Sequence, residues 1–214
     1  MPVPILYRDE SLIVVDKPAG LLSVPGRGAA GEDNLTSRVQ AALGAPVFVV
    51  HRLDQATSGL MLLALNAPMQ RAVNQAFAER RVDKQYTAVV EGWLADDQGC
   101  IDLPLAADWP NRPRQRVSHE DGKLSRTHWQ VVSRSTLAGA PAARRTRLSL
   151  KPVTGRSHQL RVHLSAIGHP IIGDALYGAP AEAAAPRLML HASALSLAHP
   201  VDGRSLNFAS PMPF

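Results

Sequence analysis

An acidic side chain stands in a turn between two apolar stretches, in residues 51–60 (HRLDQATSGL). Residues 47–50 (VFVV) predict a strand that leads into the turn, and residues 60–65 (LMLLAL) predict the strand that leaves it. Such a turn holds the Asp54 carboxylate at the lip of a sheet, where it can act as a nucleophile or a proton acceptor. On spacing alone, the alternative is that Asp54 caps the turn through one of the hydroxyls that follow it.

No cofactor-binding motif accompanies this turn in the sequence. There is no Gly-rich phosphate loop, dinucleotide fingerprint, nucleophile elbow or paired His–Glu zinc motif. His158 and His163 are five residues apart, so they do not share a helical face as metal ligands would. His169 and His199 each precede a proline, which predicts positions in turns or at the surface. We therefore expect no metal, no cofactor, and a reaction performed by side chains alone.

The composition predicts a folded, reduced protein. The chain has 214 residues, of which 45% are hydrophobic and 19% charged, enough for a sizeable core and too apolar for disorder. A single cysteine, Cys100, excludes a disulfide framework and a multi-thiolate zinc site. The sequence has neither an apolar run of membrane-spanning length nor a signal peptide at its start, so we expect a cytoplasmic protein without a membrane partner.

The charge balance favours a polyanionic partner. Lys and Arg number 23 against 18 Asp and Glu, giving a net charge of +5. Nucleic acid is the commonest partner of such a protein, although many proteins with this charge bind none.

The elements that position the turn are a mixture of strands and helices. Strands are predicted over 12–15, 47–50, 60–65, from Val82 onwards, 127–132 and 146–150, and helices over 35–43, 69–80 and 158–167. Asn34 and Gly44 suit the two ends of the first helix, and Pro68 suits the first turn of the second. Residues 138–143 and 179–186, rich in Ala, predict surface loops. Short connections without a repeating βαβ pattern favour a mixed α+β protein of one domain, or of two closely packed lobes.

Five motifs in a fixed order resemble those of the RluA family of RNA pseudouridine synthases. Residues 51–60 are similar to the family's catalytic motif, and residues 14–21 (VVDKPAGL) resemble its opening motif. Three further conserved segments of the family follow the opening motif, and they are matched in order by residues 84–88 (KQYTA), 155–174 and 188–192 (LMLHA). The resemblance spans almost the whole chain, and five ordered motifs are highly specific.

This resemblance implies both a fold and a reaction. The fold is a largely antiparallel mixed sheet with a central catalytic cleft flanked by helices, forming a single catalytic domain over residues 1–214 without the N-terminal S4 domain of some relatives. The reaction converts uridine to pseudouridine: the N-glycosidic bond breaks, uracil turns, and C5 bonds to the ribose. An isomerisation consumes nothing, which agrees with the expected lack of cofactors.

The resemblance also implies roles for four residues of the active site. Asp54 is the catalytic carboxylate, which either attacks the sugar or takes a proton from C2′. Arg161 is its guanidinium partner, which keeps the carboxylate charged and oriented; otherwise Arg161 is a solvated helix residue. Tyr86 packs on uracil and exchanges a proton, and Leu190 lies on the other side of the base. Without the resemblance, the alternative is that Tyr86 and Leu190 are ordinary core residues.

A stacked uridine must be flipped out of its RNA loop before it can react. Arg52 resembles the residue that fills the vacated place in the stack, with a plain phosphate contact as the alternative. Arg156 is assigned to RNA phosphate, and Lys84 is either functional or a structural ion-pair partner. Arg112 and Arg114, close to Trp109, are expected to contact the RNA backbone.

Two stretches narrow the expected substrate. Residues 23–27 and 108–113 most resemble family members that act on both 23S rRNA and a tRNA anticodon loop. The alternatives are the same reaction on another RNA, or a non-catalytic RNA-binding or ribosome-assembly factor; a glycosidase needs two carboxylates, and only Asp54 lies in a motif. We expect the protein to be a monomer.

Overall fold

The computed structural model describes residues 3–137, 140–178 and 185–214. These residues form two compact units. The first unit contains the chain up to Lys84 together with His191–Pro213, and the second contains Gln85–Leu190 and Phe214. The chain leaves the first unit near the start of one strand and re-enters it at the start of another.

The first unit is built on a sheet with two helices. Its elements are β1 (Ile5–Arg8), β2 (Leu12–Lys17), α1 (Leu35–Leu43), β3 (Phe48–Val49), β4 (Ser58–Ala64), α2 (Ala67–Ala78), the start of β5 (Asp83–Glu91), most of β11 (Leu190–Ala198), and β12 (Ser205–Ala209). The strand order is β1-β2-β4-β11-β12, with β3 paired to β4. All of these pairs are antiparallel except β4 with β11.

Both faces of the first sheet are covered, which explains its continuous apolar strands. Alternate residues of β2 enter two different cores, Leu12 and Val14 one of them, Ile13 and Val15 the other. The first core contains the apolar face of α2, and the second contains that of α1. Asn34 caps α1 by accepting a hydrogen bond from the Ser37 amide at 2.9 Å, as its position before the helix predicts.

The second unit combines an antiparallel sheet with a small hairpin and one helix. Its elements are the rest of β5, β6 (Gln98–Asp102), β7 (Leu105–Ala107), β8 (Gln115–Val117), β9 (Arg126–Leu137), β10 (Ala140–Pro152) and α3 (Gln159–Ala166). The sheet order is β5-β10-β9-β6, and β7 pairs with β8 separately. The predicted mixed α+β, largely antiparallel class is confirmed.

The structure corrects several sequence-based boundaries. β3 has only two residues, α2 begins two residues earlier than predicted, and β9 and β10 are longer than their apolar centres. Within the described residues, the structure adds six strands that the sequence does not predict, namely β1, β6, β7, β8, β11 and β12. Most of these strands are short, or their apolar residues alternate with small and polar ones, so no apolar run marks them in the sequence. Their formation depends on pairing with strands that are distant in the sequence.

Two smaller predictions concern loops and a histidine. Residues 138–139 and 179–184 of the expected surface loops lie outside the described residues, and residues 140–143 belong to β10 rather than to a loop. His199 lies in the turn between β11 and β12, which is one of the two predicted positions, since its amide donates to the Arg204 carbonyl at 2.8 Å. It is buried rather than at the surface, with its ring nitrogens 3.3 Å from Asp9 Oδ2 and 3.1 Å from Asp202 Oδ1. Among the described residues, no helix is long and apolar enough to cross a membrane.

Candidate active site

Asp54 lies in the connection between β3 and β4, where the sequence predicts it. The two strands pair antiparallel through Phe48 with Ala64 and Val49 with Leu63, so they form the two sides of the turn. The Thr57 amide donates to the Asp54 carbonyl at 3.1 Å, which closes the turn through the main chain. Asp54 remains partly exposed between the buried residue Leu53 and the exposed residue Gln55.

A lysine with no solvent exposure anchors this turn from the opposite loop. The Lys17 ammonium donates to the carbonyl oxygens of Pro18 at 3.0 Å, Leu21 at 2.7 Å and Gln55 at 3.0 Å. Gly20 adds a reciprocal pair with Gln55, since its amide donates to the Gln55 carbonyl at 2.9 Å and its carbonyl accepts from the Gln55 side chain at 3.0 Å. A buried ammonium satisfied by carbonyls fixes the backbone that presents them.

The residue before Asp54 is anchored to the same loop. The buried Ser23 hydroxyl donates to the Leu53 carbonyl at 2.6 Å and accepts from the Leu53 amide at 3.1 Å. Both neighbours of Asp54 are therefore attached through main-chain atoms to residues 17–23. The sequence motifs assign no role to Lys17 or Ser23, and the run Asp16-Lys17-Pro18 in the opening motif is the available signal for Lys17.

Glycine is required where the turn that carries Asp54 enters β4. Gly59 has φ of +112° and pairs with Ala192 in the parallel ladder between β4 and β11. A Cβ at this position would lie 2.3 Å from the Ala192 carbonyl oxygen. Any side chain here would therefore force the start of β4 away from β11.

A chain of polar side chains supports the same entrance to β4. Ser58 Oγ lies 2.8 Å from His191 Nδ1, and His191 Nε2 lies 3.0 Å from the Ser210 hydroxyl. Ser210 in turn donates to Asp16 Oδ2 at 2.5 Å. This network links the turn that carries Asp54 to β2 and to the segment after β12.

His51 has a structural role at the start of the turn. Its Nε2 accepts a hydrogen bond from the Leu62 amide at 2.9 Å, and its ring lies 5.0 Å from the Phe77 ring. Desolvation lowers the pKa of His51 to about 3, and the nearby charge of Lys84 adds to this shift. His51 is therefore neutral at physiological pH and serves as an acceptor for the β4 backbone.

Arg52 and Lys84, both assigned to substrate binding, differ in exposure. Arg52 is exposed, as an RNA-contacting side chain must be. The Lys84 ammonium lies 5.7 Å from the centre of the Phe77 ring, and burial lowers the pKa of Lys84. Lys84 is thus partly desolvated against an aromatic face.

In the second unit, Arg161 is buried on α3 and held by a carboxylate. Its Nε donates to Asp174 Oδ2 at 2.8 Å and its Nη2 to Asp174 Oδ1 at 2.7 Å, with side-chain exposures of 6% and 0%. The amides of Leu176 and Tyr177 also donate to Asp174 Oδ1, at 2.9 and 3.1 Å. This two-point contact fixes the plane of the guanidinium. The alternative that Arg161 is a solvated helix residue is therefore wrong.

Asp174 was not assigned a role from the sequence, although it ends the segment 155–174 that resembles a family motif. Its neighbour Tyr177 was also missed. The Tyr177 hydroxyl accepts from the Gln115 amide at 2.7 Å and lies 2.7 Å from His158 Nδ1. The guanidinium carbons of Arg161 and Arg114 lie 5.1 and 5.5 Å from the centre of the Tyr177 ring. The structure thus brings Arg114 and Arg161 to one aromatic ring.

The remaining candidates of the second unit occupy different settings. Tyr86 is partly exposed on β5 and pairs with Leu150 of β10, whereas Leu190 is buried. Arg156 is exposed just before α3, where its amide donates to the Gln159 side chain at 3.1 Å. Arg112 is also exposed, and its guanidinium carbon lies 3.3 Å from the centre of the Trp109 ring.

Comparison with known proteins decides the family. The model of the RNA pseudouridylate synthase family matches residues 11–166, which include Asp54, Tyr86 and Arg161. The chain belongs to this family. It is an enzyme of the isomerase class, a pseudouridine synthase whose substrate is RNA. The family predicted from the five motifs is confirmed.

Curated relatives in this family match nearly the whole chain. The dual-specificity RNA pseudouridine synthase RluA of Escherichia coli (strain K12) is 47% identical over 211 residues, covering 98% of this chain and 93% of its own. The protein of the same description from Yersinia pestis is 49% identical over 205 residues, covering 95% and 96%.

Solved structures of synthases show the same fold. Human RNA pseudouridylate synthase domain containing 1 superposes with a TM-score of 0.82 at 30% identity, over 99% of this chain and 84% of its own. Human RNA pseudouridylate synthase domain containing 4 gives a TM-score of 0.76 at 28% identity, over 98% and 88%.

Proposed function

We propose that this pseudouridine synthase modifies uridines in two RNA substrates, 23S rRNA and the anticodon loop of a tRNA. Support comes from the full-length similarity to synthases described as having dual specificity. Residues 23–27 and 108–113, which resemble the dual-specificity members, add to it.

Asp54 is the catalytic residue of this proposal. The observation that carries it is local: the side chain is partly exposed, while the carbonyl oxygens of its two neighbours, Leu53 and Gln55, accept hydrogen bonds from the side chains of Ser23 and Lys17. A carboxylate presented in this way can reach a reacting atom without loss of its own position. It either attacks the ribose, forming a covalent intermediate, or takes a proton from C2′.

The reaction balances without any other reactant. The bond between N1 and C1′ of uridine breaks, uracil rotates, and a new bond forms between C5 and C1′. The proton that leaves C5 is replaced by one gained at N1, so substrate and product are isomers. Tyr86 exchanges a proton and packs on the base, Leu190 contacts its other face, and Arg161 keeps the role that the resemblance implies.

RNA binding is assigned to basic side chains of both units. Arg52 takes the place of the flipped base, Arg156, Arg112 and Arg114 contact the RNA backbone, and Lys84 also contributes to substrate binding. We further propose a single catalytic domain that acts as a cytoplasmic monomer.

The test compares RNA with and without the enzyme. Pseudouridine mapping on 23S rRNA and tRNA from cells that lack the gene should show one missing modification in each RNA. Purified enzyme should restore both in unmodified transcripts. Loss in only one RNA would reduce the proposal to a single substrate, and no loss in either would overturn it.

A further inference from the structure

An exposed tryptophan occupies the loop between β7 and β8. Trp109 is 66% exposed, and the Arg112 guanidinium covers one face of its ring at 3.3 Å. The exposed area therefore lies on the other face and the edges of the indole. An exposed, rigid aromatic face of this kind is able to stack on a planar partner.

The loop that holds this ring is internally bonded. The Asp108 amide donates to the Arg114 carbonyl at 3.0 Å, and the Arg114 amide donates to the Asn111 carbonyl at 3.0 Å. Asn111 also donates to Asp108 twice, from its amide at 3.1 Å and from its side chain at 3.0 Å. A partner that binds here does not have to order the loop, so little entropy is lost on binding.

The loop is also attached to the part of the second unit that holds Arg161. The Arg114 side chain donates to the Leu176 carbonyl, and the Gln115 amide donates to the Tyr177 hydroxyl at 2.7 Å. Because Tyr177 also packs against Arg161, Trp109 is held in a fixed relation to that guanidinium.

We infer that Trp109 and Arg112 form a second nucleotide-binding site, which stacks an unpaired base of the RNA other than the uridine being modified. The inference rests on the proposed function, since it needs an RNA substrate. An aromatic face beside cations is the surface that single-stranded RNA prefers: bases stack on the ring, and phosphates pair with the charges of Arg112 and Arg114. The exposed positive charge at this loop favours RNA over an apolar protein segment.

A second tryptophan of the same unit supplies a matched control. Trp93 is 43% exposed and lies 4.6 Å from the Arg144 guanidinium, so it repeats the pairing of indole with arginine. Its indole nitrogen donates to the Ser135 carbonyl at 3.1 Å, which gives this ring a structural contact with β9. We therefore assign base stacking to Trp109 and not to Trp93.

The test measures binding in an Asp54→Asn background, so that no RNA is turned over. With a synthetic stem-loop corresponding to a tRNA anticodon arm, Trp109→Ala should raise the Kd about tenfold, whereas Trp93→Ala should change it less than about twofold. Trp109→Phe, which keeps an aromatic face, should recover much of the loss. The factor should be the same at low and high salt, because stacking releases no counterions.

Fluorescence and kinetics give independent readouts. RNA should quench tryptophan emission in Trp93→Phe, and the quench should be lost in Trp109→Phe. With Asp54 intact, Trp109→Ala should raise KM about tenfold and leave kcat unchanged at saturating RNA. Equal Kd values for Trp109→Ala and Trp93→Ala, both folded by thermal melting, would overturn the inference while leaving the proposed function intact. A wild-type enzyme that forms no pseudouridine would instead overturn the proposed function.

Discussion

The two units hold their key side chains by different means. In the first, the turn that carries Asp54 is held through its two neighbours, since Leu53 and Gln55 are attached through backbone atoms to Lys17, Gly20 and Ser23. In the second, Arg161 is held through its own guanidinium by Asp174. Hydrogen bonds to the backbone of its neighbours position Asp54 indirectly, whereas a buried charge pair acts directly on the guanidinium of Arg161.

The largest effect is expected at the buried charge pair of the second unit. Asp174→Asn removes the charge beside Arg161 and leaves a buried cation without its carboxylate. We expect a loss of about 3–5 kcal/mol in the free energy of unfolding and a kcat about 100-fold lower, because the guanidinium is misplaced. Urea unfolding and single-turnover rates measure the two effects.

Asp121→Asn is the matched control, because it removes the carboxylate of an exposed pair, 3.1 Å from Arg116. It should change stability by less than about 1 kcal/mol. If Asp174→Asn prevents folding, Asp174→Glu keeps the charge and should lower kcat in a folded protein. Normal turnover in both Asp174 variants would contradict the assigned positioning role.

A smaller effect on the rate is expected at Lys17, because several contacts together hold the turn that carries Asp54. Lys17→Met keeps most of the apolar stem and removes the donor to three carbonyls. Stability should fall by about 2–4 kcal/mol, but kcat should fall only about tenfold, since the contacts of Ser23 and Gly20 remain. Lys151→Met, at an exposed position, should have little effect on either quantity. A kcat loss larger than that of Asp174→Asn would reverse the comparison.

An Arg52 variant tests base extrusion from the RNA separately from the positioning of the Asp54 carboxylate. Arg52→Ala should slow turnover about tenfold by impairing base extrusion, with no loss of stability. An RNA whose target loop is already opened by mismatches should recover part of the rate. Arg71→Ala, which changes an exposed residue of α2, should leave turnover unchanged. A defect of equal size on both RNAs would count against the extrusion role.

The smallest effect concerns pH. The folded-state pKa of His51, about 3, lies below its usual value of 6.5, so the unfolded chain binds more protons between these values. The His51 contribution to stability is therefore complete above about pH 6.5 and is lost as the pH falls toward 3, with a slope of at most about 1.4 kcal/mol per pH unit. His51→Gln should flatten this part of the stability profile, measured by urea unfolding at pH 7, 6 and 5. An identical slope in both proteins would show that His51 does not titrate as described.

Local patterns predicted much of the fold around Asp54. Asn34 and Gly44 define α1 through their own side chain and backbone preferences, and the apolar runs on either side of residues 51–59 define the β3–β4 turn. These signals lie within a few residues of the structure they determine. The family motifs then indicated the site residues, which local patterns alone left open.

Contacts between distant parts of the sequence could not be predicted in this way. Lys17 is charged and next to a proline, which favours an exposed turn, yet it is buried because Gln55, 38 residues later, supplies a carbonyl. Tyr177 likewise bonds to the Gln115 backbone, 62 residues earlier. Such residues satisfy polar groups that only the assembled chain brings together, and no periodicity in the sequence reports them.

The most direct test of the account is the turnover of Asp54→Asn, with RNA affinity measured on the same protein. The asparagine amide is nearly isosteric with the Asp54 carboxylate. The hydrogen bonds that hold Leu53 and Gln55 do not involve the side chain of residue 54. We predict a loss of at least about 1,000-fold in pseudouridine formation and a Kd for RNA within about threefold of wild type. An Asp54→Asn enzyme that forms pseudouridine at the wild-type rate would contradict the assignment of this carboxylate to the chemistry.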